Sequence, residues 1–304
     1  MESPLLSPGR IPGGVLLSFL VLLPRAASAA DLAILTDPSV RPYAQTVTGL
    51  RRAGGSMTEV DVRAPDAAAR VRAAAPVVVV AVGQRSLALA RRELSDRPIV
   101  FANVLAPDQY RLSGAVTGVP LEVGPDAQLA AIRETLPGVR RIGVPCNRTI
   151  FASFLERARR VAREHRQEIV DVHVDSIRAM PRAIDRLVGS TDALLLLPDP
   201  SLWSRETLSH VLLAGIDRRR PVVGFLDALT QSGAVMSVAP DYEAIGVRAR
   251  ELVDQILAQP RGAPVRVPPV GYARGRVSVN LATATRMGLR LPQVALRRVQ
   301  RVFR

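Results

Sequence analysis

The chain has 304 residues, enough for two α/β lobes, and 48% of them are hydrophobic against 22% charged, an ordinary balance for a protein with substantial cores. Its net charge of +14 comes from arginine alone, since none of the 41 basic residues is lysine. That excludes a phosphate-cradling GxxxxGK[ST] loop, a Schiff-base lysine and a Ser-Lys dyad together. The arginines lie scattered along amphipathic segments without an interleaved aromatic platform, so no nucleic-acid partner is expected.

The first 29 residues read as a signal peptide. Arg10 precedes an apolar run over 11–23, Pro24-Arg25 breaks it, and Ala26-Ala27-Ser28-Ala29 supplies the small residues of a signal-peptidase site. The run is shorter than the roughly 20 residues that cross a bilayer. The single cysteine, Cys146, lies far from the expected mature start near Ala30, so neither a lipid anchor nor an internal disulfide is expected. The expected compartment is the periplasm.

From Asp31 onward short apolar runs alternate with amphipathic segments. Residues 32–36 read as a strand, and a helix runs from there to about Ala53, where Gly54-Gly55 stops it. A second strand covers 57–62. The unbroken run 77–82 has the composition of a strand buried on both faces of a parallel sheet, and 98–101 is a further short strand. The stretch 102–120 has no helical period and contains Pro107, Gly114, Gly118 and Pro120, so it is read as a crossover between lobes.

The βα pattern then restarts. Strands are expected over 141–144, 169–174, 193–197 and 221–225, with helices over 124–136, 150–166, 178–188 and 204–219. Residues 234–238 and a helix over 241–257 are expected to complete the first lobe, and 260–269 to lead the chain back to a last strand over 277–280. The fold class is therefore α/β, with two Rossmann-like lobes, each a parallel sheet flanked by helices, joined by interlobe crossovers. The expected lobes are 30–118 plus 226–268, and 119–225 plus 269–304.

No GxSxG elbow or GxGxxG follows any strand, and His165, His173 and His210 have no metal spacing between them. No catalytic residue, metal or cofactor is expected. Polar residues do gather at the carboxyl ends of the expected strands, the edge where open α/β sheets bind ligands. They are Thr36, Asp37 and Ser39; Gln84, Arg85 and Ser86; Asn103; Asn147 and Thr149; Asp199, Ser201 and Trp203; and Asp227. Helix capping and ligand contact weigh equally for each polar residue taken alone. Trp203 fits a stacking wall or a packing role.

Ordered fragments carry a family resemblance. They are Val82-Gly83-Gln84, Ile99-Val100-Phe101-Ala102-Asn103-Val104, Val116-Thr117-Gly118-Val119, Ile142-Gly143-Val144 leading to Asn147, and Leu197-Pro198-Asp199-Pro200. Pro221-Val222-Val223-Gly224-Phe225, Pro240-Asp241-Tyr242 and Val279-Asn280-Leu281 follow. Together they resemble the bacterial ABC-transporter substrate-binding proteins of the type that includes tryptophan- and tyrosine-binding members. The resemblance implies a type I periplasmic-binding fold with three interlobe crossovers. It also implies a monomer that captures a small-molecule ligand between lobes and presents it to an ABC-transporter permease. A ligand sensor that signals to a membrane receptor or kinase is the alternative, and a periplasmic enzyme on the same scaffold a third. For an amino-acid ligand, Asp199 or Asp227 would meet the ammonium, and Arg85 or the N–H groups near Ser86 the carboxylate. The chain departs from the family at Pro200, which removes a backbone donor, and in a shorter turn at Asn147.

Overall fold

The computed structural model describes residues 31–260 and 264–304, so the segment read as a signal peptide lies outside the described residues. The first sheet is built by β1 (Leu32–Thr36), β2 (Met57–Asp61), β3 (Val78–Val82), β4 (Ile99–Val104) and β5 (Val116–Pro120). Its order is β2-β1-β3-β4-β5, and every pairing is parallel. Parallel neighbours need long connections, and α1 (Arg41–Arg51), α2 (Ala67–Ala73) and α3 (Gln84–Glu93) supply three of them. These helices cover both faces, so Leu32 to Leu35 and Val78 to Val82 are fully buried.

The chain leaves the first lobe at residues 121–124 and enters α4 (Pro125–Thr135). The second lobe continues with β6 (Arg141–Cys146), α5 (Ala152–Glu164), β7 (Glu168–His173), α6 (Met180–Ser190), β8 (Ala193–Leu195), α7 (Arg205–Asp217), β9 (Val222–Gly224) and α8 (Asp227–Gln231). Then come β10 (Met236–Pro240) and α9 (Tyr242–Leu257), and finally β11 (Gly275–Asn280), α10 (Leu281–Arg286), α11 (Gln293–Leu296) and β12 (Arg301–Phe303). The second sheet has the order β12-β11-β10-β9-β8-β6-β7, parallel throughout except for the antiparallel pair β10–β11. No helix among the described residues is long and apolar enough to cross a membrane.

Three crossovers join the lobes, at 121–124, between β10 and α9, and along the segment from α9 to β11. Two of them differ from the sequence expectation. The stretch 102–120 is not a crossover, because it holds the end of β4 and all of β5. Gly118 and Pro120 look like strand breakers, yet each has a structural reason to stand there. A Cβ on Gly118 would fall 2.2 Å from the Phe101 carbonyl oxygen, and Pro120 ends an edge strand, where a missing donor costs nothing. The strand expected over 234–238 belongs to the second sheet rather than the first, held between β9 and β11. Only the helix after it crosses to the first lobe.

That helix, α9, buries Ile245, Ala249, Leu252, Val253 and Ile256 against Leu32, Ile34, Val47 and Leu50. Burying each large aliphatic side chain contributes about 2 kcal/mol. Its first turn is capped by Asp241, whose Oδ1 accepts from the Ala244 N–H at 3.0 Å. Asp241→Ala is expected to cost about 1 kcal/mol in urea denaturation, since an orphaned helix donor loses its acceptor there. An unchanged unfolding midpoint would contradict the cap.

Candidate functional site

A cavity of about 350 Å³ opens at the carboxyl edge of the second sheet, where two crossovers pass beside it. Volumes of this order suit a small ligand. The loop after β8 supplies Pro198, Asp199, Pro200 and Trp203; β9 leads into Phe225 and Leu226; β10 ends in Pro240. Leu121, Glu122 and Val123 come from the first crossover, Gln128 from α4, and Tyr242 from the start of α9. Three grooves of about 360, 380 and 550 Å³ elsewhere are larger, but exposed charged side chains line each of them, Arg63 and Arg92 in the first, Arg52 and Glu251 in the second, Glu156 and Arg160 in the third. Size therefore does not decide the site; the mixture of apolar walls and buried polar atoms does.

Asp199 is only 5% exposed. Its Oδ1 accepts from the Ser201 N–H at 2.9 Å and the Ser201 hydroxyl at 2.6 Å, while its Oδ2 is buried with no hydrogen-bond partner among the described residues. A buried carboxylate oxygen left unpaired is costly, so its presence in a cavity wall points to a donor that arrives from outside. Gln128 repeats the pattern: its amide donates to the Val123 carbonyl at 2.8 Å, and its Oε1 has no partner. The indole N–H of Trp203 donates to the Leu197 carbonyl at 2.8 Å, which anchors the ring as a fixed wall.

Glu122 sits in the first crossover, 5% exposed, with Oε2 accepting from the Ala106 N–H at 3.1 Å. Burial disfavours its charged form and pushes its carboxyl up to about 7, with the nearby Asp108 adding a smaller push in the same direction. Burial also raises the Tyr242 phenol. Cys146, buried beneath this edge, has its thiol pushed up to about 12, chiefly by burial, and is no nucleophile at neutral pH.

The first lobe presents its own buried polar atoms at strand ends. Thr36 Oγ1, Ser86 Oγ and Asn103 Oδ1 have no partner among the described residues. Asn103 occupies a left-handed conformation, φ 55°, at an irregularity in the β4–β5 register, which asparagine tolerates better than most residues. Its Nδ2 donates to Thr46 Oγ1 at 2.5 Å, and that hydroxyl donates to the Tyr242 carbonyl at 2.9 Å. A polar relay thus runs from β4 to a residue of the cavity wall.

Of the residues picked from sequence, Asp199 and Trp203 meet in this cavity. The others stand elsewhere. Asp37 Oδ1 accepts from the Ser39 N–H and hydroxyl in a local turn, 3.4 Å from Arg63, and the Ser39 bond holds the Asp37 carboxyl below its usual range. Gln84 and Arg85 are exposed, and Arg85 lines an outer groove with Arg63 and Arg92. Asn147 Oδ1 accepts from the Thr149 N–H at 3.0 Å, again a turn. Asp227 faces Arg301 at 3.5 Å and Arg276 at 3.9 Å. Sequence reasoning missed Glu122, Gln128 and Tyr242. The one local signal was a lone carboxylate between Leu121 and Val123.

The comparisons with known proteins agree with this architecture. A tyrosine-binding protein of Clostridioides difficile (strain R20291) is 24% identical over 189 residues, 59% of this chain and 54% of the relative, so the match spans about half of that relative's length. Among solved structures, an ABC domain from Streptococcus pneumonia in complex with L-Trp has a TM-score of 0.59 at 19% identity, covering 91% of this chain and 100% of its own. A substrate binding protein with adhesive properties from Clostridium difficile, in its ligand-free, open form, has a TM-score of 0.65 at 18% identity, covering 90% and 99%. At these identities the structures establish the shared fold, the two-lobed type I periplasmic-binding architecture. The model of the ABC transporter substrate binding protein family matches residues 62–302, and the chain belongs to that family.

Proposed function

We propose that this protein is exported to the periplasm, captures a small solute between its lobes without turning it over, and presents it to an ABC-transporter permease. The observation that carries the reading is the unpaired Asp199 Oδ2 in a largely apolar cavity walled by Trp203, Phe225 and Tyr242. The solute class suggested by the relatives is an aromatic amino acid or a close analogue. Asp199 would meet its ammonium, and the first lobe would close over the other side. Contact with both lobes favours the closed state, because a ligand stabilises whichever conformation it binds better.

Trp203 is the chain's single tryptophan, so emission from it reports on the cavity without labelling. Titration with the carried ligand, identified by native mass spectrometry of protein purified from its own periplasm, is expected to change that emission saturably. At about 100 times its Kd the ligand adds about 2.7 kcal/mol to stability, a melting shift of several degrees. A protein that carries no ligand and shows neither response to a panel of amino acids would contradict capture at this site.

A further inference from the structure

The polar groups of the cavity form an unusual set, because nearly all of them accept. Asp199 offers Oδ2 and Gln128 offers Oε1, both buried and unpartnered, and Glu122 adds a second carboxyl. Two of the side-chain donors that could balance them are already engaged: the Gln128 amide bonds to Val123, and the Trp203 indole bonds to Leu197. Pro198, Pro200 and Pro240 line the wall and have no N–H to give. No arginine or histidine lines the cavity, although the chain carries a net charge of +14. The phenol of Tyr242 is the sole hydroxyl in the lining.

A site with buried acceptors and few donors discriminates through what it leaves unpaired. A carboxylate entering it would meet two acids and no cation. An ammonium would complete the Asp199 hydrogen bonding, and the aromatic faces of Trp203, Phe225 and Tyr242 suit both a cation and a flat apolar body. We propose that the cavity recognises its ligand by an ammonium group borne on an aromatic body, and that it does not read a carboxylate. The inference rests on the cavity being the capture site. It goes further in one respect: an aromatic amine that lacks the carboxylate is also a ligand.

The test is calorimetric titration of the mature protein at neutral pH with three matched sets. Tyramine and tryptamine carry the ammonium alone, 4-hydroxyphenylpropionate and indole-3-acetate carry the carboxylate alone, and L-Tyr and L-Trp carry both. At least one amine is expected to bind within about tenfold of its amino acid, and the matching acid at least about 30-fold more weakly. Asp199→Asn, which keeps an acceptor for Ser201, is expected to weaken the amine by about 30-fold or more. Should that variant not fold, Glu122→Gln tests the same charge selection. Acids that bind as tightly as amines, or amines indifferent to these substitutions, would overturn the proposal while leaving capture in the cavity intact. Amino acids that bind while both amines fail would do the same. A panel without any binder would overturn both.

Discussion

Replacing Gly246 with valine is expected to strip α9 from the first lobe and destabilise the protein by at least about 3 kcal/mol. The reason is a backbone-to-backbone contact. A Cβ built on Gly246 lies 1.9 Å from the Thr46 carbonyl oxygen and 2.9 Å from the Leu50 nitrogen. The approach is mutual, since a Cβ on Gly49 would lie 2.1 Å from the Glu243 carbonyl oxygen. The atoms in the way belong to helix backbones, so no rotamer change relieves the clash and the helices must separate. Separation loosens Ile245, Ala249, Leu252 and Val253, all at most 1% exposed. It also pulls apart the Thr46–Tyr242 bond, which ties the first lobe to the cavity wall. Against a total stability of about 5–15 kcal/mol such a loss is severe. Even Gly246→Ala should show most of it in urea denaturation. Gly189→Ala is the control: the site lies in α6 with nothing within 4 Å of the added methyl, so it should be neutral or stabilise by up to about 1 kcal/mol. Equal unfolding midpoints for the two alanine variants would refute the contact.

The same pair of helices shows where sequence stops informing. The period of α9 announces its apolar face, and Leu32 to Leu35 and Val78 to Val82 announce strands buried on both sides. Nothing local says which sheet β10 joins, because pairing with β9 and β11 depends on a partner strand that arrives much later in the chain. Nor does local pattern distinguish β5 from a loop, since Gly118 is required by Phe101, a residue of the neighbouring strand. The site divides in the same way. Asp199 and Trp203 were legible because strand carboxyl ends form the crevice of open α/β sheets. Asp37 and Asn147 satisfy that rule equally, and like Asp199 each accepts from an N–H two residues on; Asp199 differs in lining the cavity with a buried, unpartnered Oδ2. Glu122, Gln128 and Tyr242 become neighbours of Asp199 only once the crossovers have docked the lobes, and crossover geometry has no period to read.

Glu122 also makes the stability of the protein sensitive to pH. In the unfolded chain its carboxyl titrates near 4.5; in the folded protein it titrates at about 7. The groups around it explain why. Desolvation dominates, Asp108 adds like charge, and the Tyr272 phenol, itself raised by burial and next by Glu122, belongs to the third crossover. Backbone N–H bonds from Glu122 itself and from Ala106 offset only part of this. Because the folded state holds the proton more tightly, stability is highest below about pH 4.5, where both states are protonated, and falls as pH rises towards and through 7. The contribution of this one group is about 3 kcal/mol between those limits. Glu122→Gln keeps an acceptor for Ala106 and carries no charge. It should therefore match the wild type near pH 4 and exceed it by about 3 kcal/mol near pH 8, read as the difference between urea unfolding curves across that range. Parallel curves at every pH would show that Glu122 is not held in a dry site. A saturating cationic ligand should abolish most of the difference, because an ammonium beside the carboxyl stabilises its ionised form and returns its titration towards the unfolded value.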